Sequence, residues 1–272
     1  MSEYADVSAV TRTGENQWSA DIDAGWTILG NPNGGYLQTV MARVAVAVAS
    51  GRDAHPHVVA ASSHFLRSPR PGAVELTAEL LRAGRTTTQV RVRMSQQGEI
   101  TGESLFTLGA LGDAAVDWAT DDLPDPGAGF DDCTRYVPPR EQFPVEILHH
   151  AGLYLHPGQS AFTEVIADSA PRGLGEVRAW VELPDGEDFT PESLLLAADI
   201  LPPATFDVRP GGWVPTIELS TYVRATPVPG PVNVLLKANL VQGDRVDESA
   251  TVWDADGNLV AQSHQFAGIR FS

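Results

Sequence analysis

Apolar and polar residues alternate along two neighbouring stretches of the chain, which predicts strands of a sheet. The apolar members recur at every second position: Val74, Leu76, Ala78 and Leu80 in the first stretch, and Val90, Val92 and Met94 in the second. Arg91 and Arg93 lie between them, as expected for a sheet with one covered face. The segments QQG (96–98) and DADG (254–257) each supply a glycine for a hairpin turn.

A different period precedes each strand block and predicts one helix in each half. Residues 31–50 carry apolar side chains at helical spacing, and Asn33 is a suitable N-cap. In residues 188–200, Thr190 is the expected N-cap, Pro191 takes the first helical position, and two prolines stop the helix. The segments VEILHHAGLYLHP (145–157) and GEVRAWVEL (175–183) are predicted as the opening strands of the second half.

A repeated phrase indicates that the chain contains two copies of one unit. HFLRSPRPG (64–72) is matched by TYVRATPVPG (221–230), which is one residue longer. With Ser63 placed on Ser220, the likeness extends through three further strands to Gly98 and Gly257. We predict an α+β fold with repeats at 1–110 and 141–272 and an acidic, Pro/Gly-rich linker at 111–140. Pairing of the halves into one continuous sheet would remove an exposed edge.

Composition and charge narrow the classes of function. A chain of 272 residues that is 43% hydrophobic can bury a sizeable core, and its only cysteine, Cys133, excludes an intrachain disulfide. The sequence shows no signal peptide and no membrane span, so we expect a cytoplasmic protein. The net charge of −17 argues against nucleic-acid and anionic-membrane partners, which require a basic footprint.

Several familiar catalytic patterns are missing. The segment GQSAF (158–162) lacks the second glycine of a nucleophile elbow, and neither a P-loop nor a dinucleotide-binding glycine motif is present. The seven histidines show no metal-ligand spacing, and His149 and His150 would point to opposite faces of a predicted strand. We therefore expect neither a metal nor a cofactor.

Three polar residues of the second half are candidates for chemistry. Asp199 ends the apolar run LLLAA, where it is either a partly buried functional carboxylate or the solvated end of a helix. Thr216 and Gln265 lie in predicted strands, where polar residues are common. Locally, none of the three requires a functional explanation.

Comparison of the two copies changes this assessment. In the register set by the two serines, Thr216 corresponds to Val59, and in the register set by the two hairpin glycines, Gln265 corresponds to Phe106. Apolar positions of one copy are thus hydrogen-bonding positions of the other. An Asp, a Thr and a Gln together can hold and polarise a water for attack on an electrophile.

The order of these motifs resembles the tandem-hotdog acyl-CoA thioesterase II family over nearly the whole chain. NGGY, HFLRSPRPG and LLRAGRTTTQVRVRMSQQG are similar to its first-half signature, and LAADI, PTIEL and LVAQSHQFAGIR to its second. The resemblance implies a double hotdog in which Asp199, Thr216 and Gln265 activate water. The sequence departs from the family where Glu218 and Leu219 replace Asp-His after Thr-Ile.

Supporting roles follow from residue chemistry. Gly34 and Gly35, at a helix start, either polarise a thioester carbonyl through backbone N–H groups or permit close packing. Coenzyme A phosphates would need local arginines, and the candidates are Arg67, Arg82, Arg85, Arg91 and Arg224. Met41 and Phe106 serve either as acyl-slot lining or as core.

The sequence thus predicts an acyl-CoA thioesterase that releases free acid and coenzyme A. The alternative is a non-catalytic acyl-CoA or lipid-binding module in which the Asp-Thr-Gln set is vestigial. A hotdog hydratase would need an Asp and a His five residues apart before its helix, and no such pair is present. Relatives of this kind tend to associate, so the resemblance implies a homo-oligomer of double-hotdog chains.

Overall fold

The computed structural model describes residues 3–51, 55–119, 123–138, 144–159, 171–209 and 214–269. Four α-helices are present in these ranges: α1 Glu3–Val7, α2 Gly34–Ala49, α3 Ile147–His150 and α4 Leu194–Ala197. The strands of the first half are β1 Thr11–Gly14, β2 Gln17–Ile22, β3 Thr27–Ile28, β4 Asn31–Pro32, β5 His57–Phe65, β6 Gly72–Ala83, β7 Thr88–Gln96 and β8 Glu99–Gly109. Those that follow are β9 Thr134–Tyr136, β10 Gly152–Leu155, β11 Glu176–Glu182, β12 Thr216–Val223, β13 Val232–Gln242, β14 Arg245–Trp253 and β15 Leu259–Gly268.

Within the described ranges, thirteen strands form one sheet in the order β1-β2-β6-β7-β8-β5-β12-β15-β14-β13-β11-β10-β9. The first repeat and the second repeat run outward from the centre in the same relative order, joined by the antiparallel pair β5–β12. The predicted pair of repeats in one continuous sheet is therefore confirmed. The segment predicted as the linker contains β9, which pairs with β10, while its residues 120–122 and 139–140 lie outside the described ranges.

The strand pairing aligns the two repeats with an offset that differs by one residue from the sequence alignment of Ser63 with Ser220. Val58 pairs with Leu108 and Thr216 pairs with Ala267, and each is followed by one bulged residue. Two bulges at equivalent places fix the correspondence, because each leaves one residue of its strand without a partner across the ladder. Thr216 therefore corresponds to Val58 rather than to Val59, and the predicted change from apolar to polar remains.

The same register corrects the alignment of the repeated phrase. Leu66 donates its N–H to the carbonyl of Thr101, and Arg224 donates its N–H to that of Val260. Arg67 also donates its N–H to the Thr101 carbonyl, so this bond alone does not choose between the two residues. The offset set by Val58 and Thr216 continues through the corner and makes Arg224 equivalent to Leu66 rather than to Arg67. The second copy of the corner contains no inserted residue, so the sequence likeness is offset by one position from the structural likeness.

The predicted helix of the first half is confirmed as α2. Asn33 has extended backbone angles, and its Oδ1 accepts the N–H of Tyr36 at 2.9 Å, as an N-cap should. The helix packs against strands β5 to β8 and against α4, so it lies over the inner face of the first repeat.

Two predictions for the second half are wrong in detail. The helix expected over 188–200 is confined to α4, because turns of the i to i+3 type at Leu195, Leu196 and Asp199 tighten its ends. Thr190 and Ser193 bond to each other in the turn before α4. The segment VEILHH, predicted as a strand, forms the short helix α3, and only the following residues make the strand β10.

A buried amide connects α2 with both central strands. Gln38 is inaccessible to solvent, and its Nε2 donates to Ser63 Oγ on β5 at 2.8 Å and to the Leu219 carbonyl on β12 at 3.2 Å. Its Oε1 accepts the hydroxyl of Thr221 at 2.9 Å. All the polar atoms of this side chain are thus used at the junction of the two repeats, where an unsatisfied group would be costly.

We expect Gln38→Ala to lower the free energy of unfolding by about 2–4 kcal/mol, because it leaves buried partners unsatisfied and opens a cavity. Chemical denaturation measures this difference. The control is Gln17→Ala on the exposed side of β2, which should change stability by less than about 0.5 kcal/mol. Equal stability of the two variants would contradict a bonding role for Gln38.

Candidate active site

A cavity of about 320 Å³ lies where the two repeats meet. Because β5 and β12 are antiparallel, the end of β5 with its following residues 65–68 lies beside the start of β12 at residues 215–217, and both line the cavity. The start of α2 and the residues after α4 complete the polar part. Most of the wall is apolar, with Ile28, Phe65, Tyr136, Leu148, Phe206 and Val214 among its side chains.

Asp199 is anchored to the start of α2 through one of its two carboxylate oxygens. Its Oδ2 accepts the N–H of Gly35 at 2.7 Å and the side-chain amide of Asn33 at 3.1 Å, and Asn33 also donates to the Asp199 carbonyl. No described residue donates to Oδ1, and the residue is partly exposed to the cavity. One oxygen therefore positions the side chain while the other remains available.

Burial raises the pKa of Asp199 to about 7, although the bonds from Gly35 and Asn33 favour the charged form and act in the opposite direction. A carboxylate with a pKa near neutrality can accept and return a proton at physiological pH. The geometry and this pKa together make Asp199 a suitable general base.

Thr216 and Gln265 form a second polar group in the same cavity. The Thr216 hydroxyl donates to Gln265 Oε1 at 2.8 Å, and Gln265 Nε2 donates to Glu248 Oε2 at 2.6 Å. The structure thus brings all three predicted residues, Asp199, Thr216 and Gln265, to one cavity. Glu248, which sequence reasoning missed, is buried behind this pair and accepts from Gln265 without lining the cavity.

Glu248 escaped notice because a hairpin differs in length between the repeats. Glu248 pairs with Gln265 as Val90 pairs with Phe106, so Glu248 replaces an apolar residue of the first repeat. Seven residues lie between the paired Met94 and Gly102 of the first hairpin, and eight lie between the equivalent pair Val252 and Ala261 of the second. Alignment on the hairpin glycines therefore places Glu248 opposite the polar Gln89. The change from an apolar residue to a carboxylate is present in the sequence, but only the hydrogen-bonded register of the strands aligns the two positions.

The two glycines at the start of α2 have different environments. The Gly35 N–H is already bonded to Asp199, and a Cβ at this residue would lie 2.6 Å from the Leu195 carbonyl oxygen. Gly35 therefore supports close packing and is not free to polarise a carbonyl, which corrects one of the two predicted roles. Gly34 lines the cavity, and no described residue accepts its N–H.

The predicted arginines are dispersed. Arg67 lines the cavity and makes an exposed ion pair with Glu99 at 3.2 Å. Arg224 bonds to Gln262 beside a separate surface depression. The remaining candidates, Arg82, Arg85 and Arg91, line neither of these cavities, and Arg91 is paired with Glu79.

The residues that depart from the family pattern do not line the cavity. Leu219 is fully buried, and Glu218 lies on the other face of β12, where it accepts the Ser220 hydroxyl at 2.6 Å. Met41 and Phe106 are buried core residues outside the cavity wall. Among the described residues, no cluster of three His, Cys, Asp or Glu side chains is arranged to hold a metal ion.

Two family models match the chain, that of the acyl-CoA thioesterase N-terminal domain at residues 22–109 and that of the C-terminal domain at residues 119–269. The chain belongs to the acyl-CoA thioesterase family. The resemblance inferred from its motifs is thereby confirmed.

Solved structures of this family share the fold. A candidate thioesterase II from Thermobifida fusca YX is 29% identical, with a TM-score of 0.85 over 99% of this chain and 98% of that one. The acyl-CoA thioesterase II TesB2 from Mycobacterium marinum is 15% identical, with a TM-score of 0.69 over 99% and 98%, and shows the fold alone. An uncharacterized protein of Mycobacterium tuberculosis is 28% identical over 93% of this chain and 90% of its own length.

The described part of the chain contains no helix that is long and apolar enough to cross a membrane.

We expect Gly35→Ala to lower stability by about 1–3 kcal/mol, because the added methyl group meets backbone atoms of the facing helix and the carboxylate-bearing residue. Thermal unfolding measures the loss. Gly112→Ala is the matched control, since a Cβ there meets nothing within 4 Å. A Gly35→Ala protein as stable as this control would contradict the close contact between α2 and α4.

The raised pKa of Asp199 also predicts how stability depends on pH. Its ordinary value is 3.8 and its folded value about 7, so between these pH values the unfolded chain loses a proton that the folded protein retains. Ionisation of Asp199 therefore opposes folding as the pH rises. Asn can keep both anchoring bonds, so Asp199→Asn should match the wild type at pH 4 and exceed its stability by up to about 4 kcal/mol at pH 8.

Denaturation at the two pH values tests this prediction. An Asn variant that is less stable than the wild type at pH 8 would show that the ionised carboxylate stabilises the fold.

Proposed function

We propose that the protein hydrolyses acyl-CoA thioesters to free acid and coenzyme A, with water as the nucleophile. The observation that carries this proposal is the anchored Asp199: one oxygen is bonded to the helix start, and the other has no donor among the described residues of the cavity. The Thr216–Gln265 pair in the same cavity supports it by offering a second contact for the water.

Asp199 acts as the general base in this proposal. The water oxygen forms a bond with the carbonyl carbon, a water proton passes to Asp199 Oδ1, and the carbonyl electron pair moves to its oxygen. The electron pair on the oxygen then re-forms the carbonyl, the carbon–sulfur bond breaks with its pair leaving on sulfur, and the proton on Asp199 is returned to the thiolate. Atoms and charges balance without a covalent enzyme intermediate.

The start of α2 is the proposed site for the carbonyl oxygen. Gly34 lines the cavity at the positive end of a helix of 16 residues, where negative charge is favoured, and no described residue accepts its N–H. A side chain at Gly34 would lie 2.9 Å from Asp199 Oδ2, so glycine keeps this space open. Gly34 thus retains the role that Gly35 does not fulfil.

The substrate would place its acyl group against the apolar wall and its coenzyme A at the mouth. Arg67 is the proposed phosphate contact, because its present partner, Glu99, is exposed and such pairs are weak. A cytoplasmic location and a homo-oligomer remain predictions from the sequence.

The test is release of free thiol from acyl-CoAs of short to long chain length. We expect wild-type turnover on part of the panel and a fall in kcat of about 100-fold or more for Asp199→Asn, because the general base is removed. The rate of the wild type should rise as the pH passes through about 7, where Asp199 ionises.

The control is Asp256→Asn, which removes the same charge from the exposed β14–β15 turn and should leave kcat unchanged. Equal turnover by the wild type and Asp199→Asn would disprove the role of Asp199. Tight acyl-CoA binding without turnover would favour the non-catalytic binding module.

A further inference from the structure

Glu248 is a fully buried carboxylate with no ion-pair partner among the described residues. Its Oε1 accepts the Ala204 N–H at 2.8 Å, and its Oε2 accepts from Gln265 at 2.6 Å. The first repeat fills the equivalent position with Val90, so the fold itself does not require a charge here. Burying an acid in place of a packed valine has a desolvation cost for the fold, so stability alone does not account for Glu248.

The acceptor character of Glu248 sets the direction of the neighbouring hydrogen bonds. A carboxylate with a backbone N–H on one oxygen receives the amide N–H of Gln265 on the other. Gln265 Oε1 therefore faces Thr216 and accepts its hydroxyl hydrogen. With its hydrogen committed, Thr216 Oγ1 has only lone pairs to offer to the cavity.

We propose that Glu248 is a positioning residue that fixes the direction of the Gln265–Thr216 hydrogen bond, so that the attacking water donates to Thr216 and to Asp199. A water that donates both hydrogens to the protein keeps its lone pairs for the carbonyl carbon. This inference rests on the proposed hydrolysis for its consequence, but the hydrogen-bond direction itself does not depend on turnover.

Glu248→Gln reverses the direction. Because the Ala204 N–H needs an acceptor, the new amide places its oxygen there and its Nε2 toward Gln265. Two N–H groups cannot face each other, so the Gln265 amide turns over and Thr216 must accept from it. The Thr216 hydrogen then points into the cavity and competes with the water.

We expect Glu248→Gln to lower kcat by about 10- to 100-fold with little change in KM, since the binding surface is intact and the water is misdirected. The double variant Glu248→Gln/Gln265→Glu should recover most of the lost kcat, because a carboxylate at position 265 again accepts from Thr216. The matched control is Asp247→Asn, the adjacent and exposed residue on the same strand, which should behave as the wild type. Wild-type kcat in Glu248→Gln, or no recovery in the double variant, would overturn the proposal.

A second readout is independent of activity. Burial raises the pKa of Glu248 to about 7, the charge of Asp199 acts in the same direction, and the N–H groups of Gln265, Ala204 and Thr205 lower it. Asp199 also titrates near pH 7 in the same cavity, so the comparison is made with Asp199 replaced by Asn. The side-chain amide NMR signal of Gln265 should therefore shift with pH around 7 in Asp199→Asn and in Asp199→Asn/Asp247→Asn, but lose this transition in Asp199→Asn/Glu248→Gln.

The two readouts separate the two proposals. The NMR transition without thioester hydrolysis by the wild type would remove the proposed function and retain the hydrogen-bond arrangement. Hydrolysis with a Gln265 signal that is unaffected by Glu248→Gln would retain the function and overturn the positioning role.

Discussion

The antiparallel pairing of β5 with β12 is the interaction on which the rest of the structure depends. It joins two repeats into one sheet and places the end of one central strand beside the start of the other. The cavity can therefore draw residues from both repeats, and Gln38 bonds α2 to both strands at that seam. If the two repeats separated, the start of α2 and the start of β12 would no longer line the same cavity.

The buried carboxylates of the candidate site lower the stability of the fold when they ionise. Asp199 and Glu248 are carboxylates in surroundings that raise the pKa of each to about 7, and the first repeat fills the position of Glu248 with Val90. Their ionisation near neutral pH opposes folding, while the same buried surroundings keep a proton exchangeable at that pH. The first repeat avoids this cost at the position of Glu248, where Val90 is apolar, although its Asn33 and Gly35 still bond to Asp199.

Local sequence predicted secondary structure correctly where the element's own residues specify it. The position of helix α2 and its Asn33 cap follow from the spacing of apolar residues and from the chemistry of the cap. In contrast, the segment 188–200 is helical only in α4, and the segment VEILHH contains the helix α3 instead of a strand. Short apolar segments fit either state, so their neighbours decide between them. Register errors had a separate cause, since bulges and an extra turn residue shift a ladder without changing the composition of its strands.

The sequence by itself determined the duplication, the sheet of paired repeats and the family, and it singled out Asp199, Thr216 and Gln265 as candidates for chemistry, because periodicity and divergence between copies are visible in residue order. Only the tertiary structure decided that these residues share one cavity, that Gly35 serves Asp199, and that Glu248 bonds Gln265. Those facts depend on contacts between residues far apart in the chain. Such contacts follow from the exact ladder register, which local pattern does not specify.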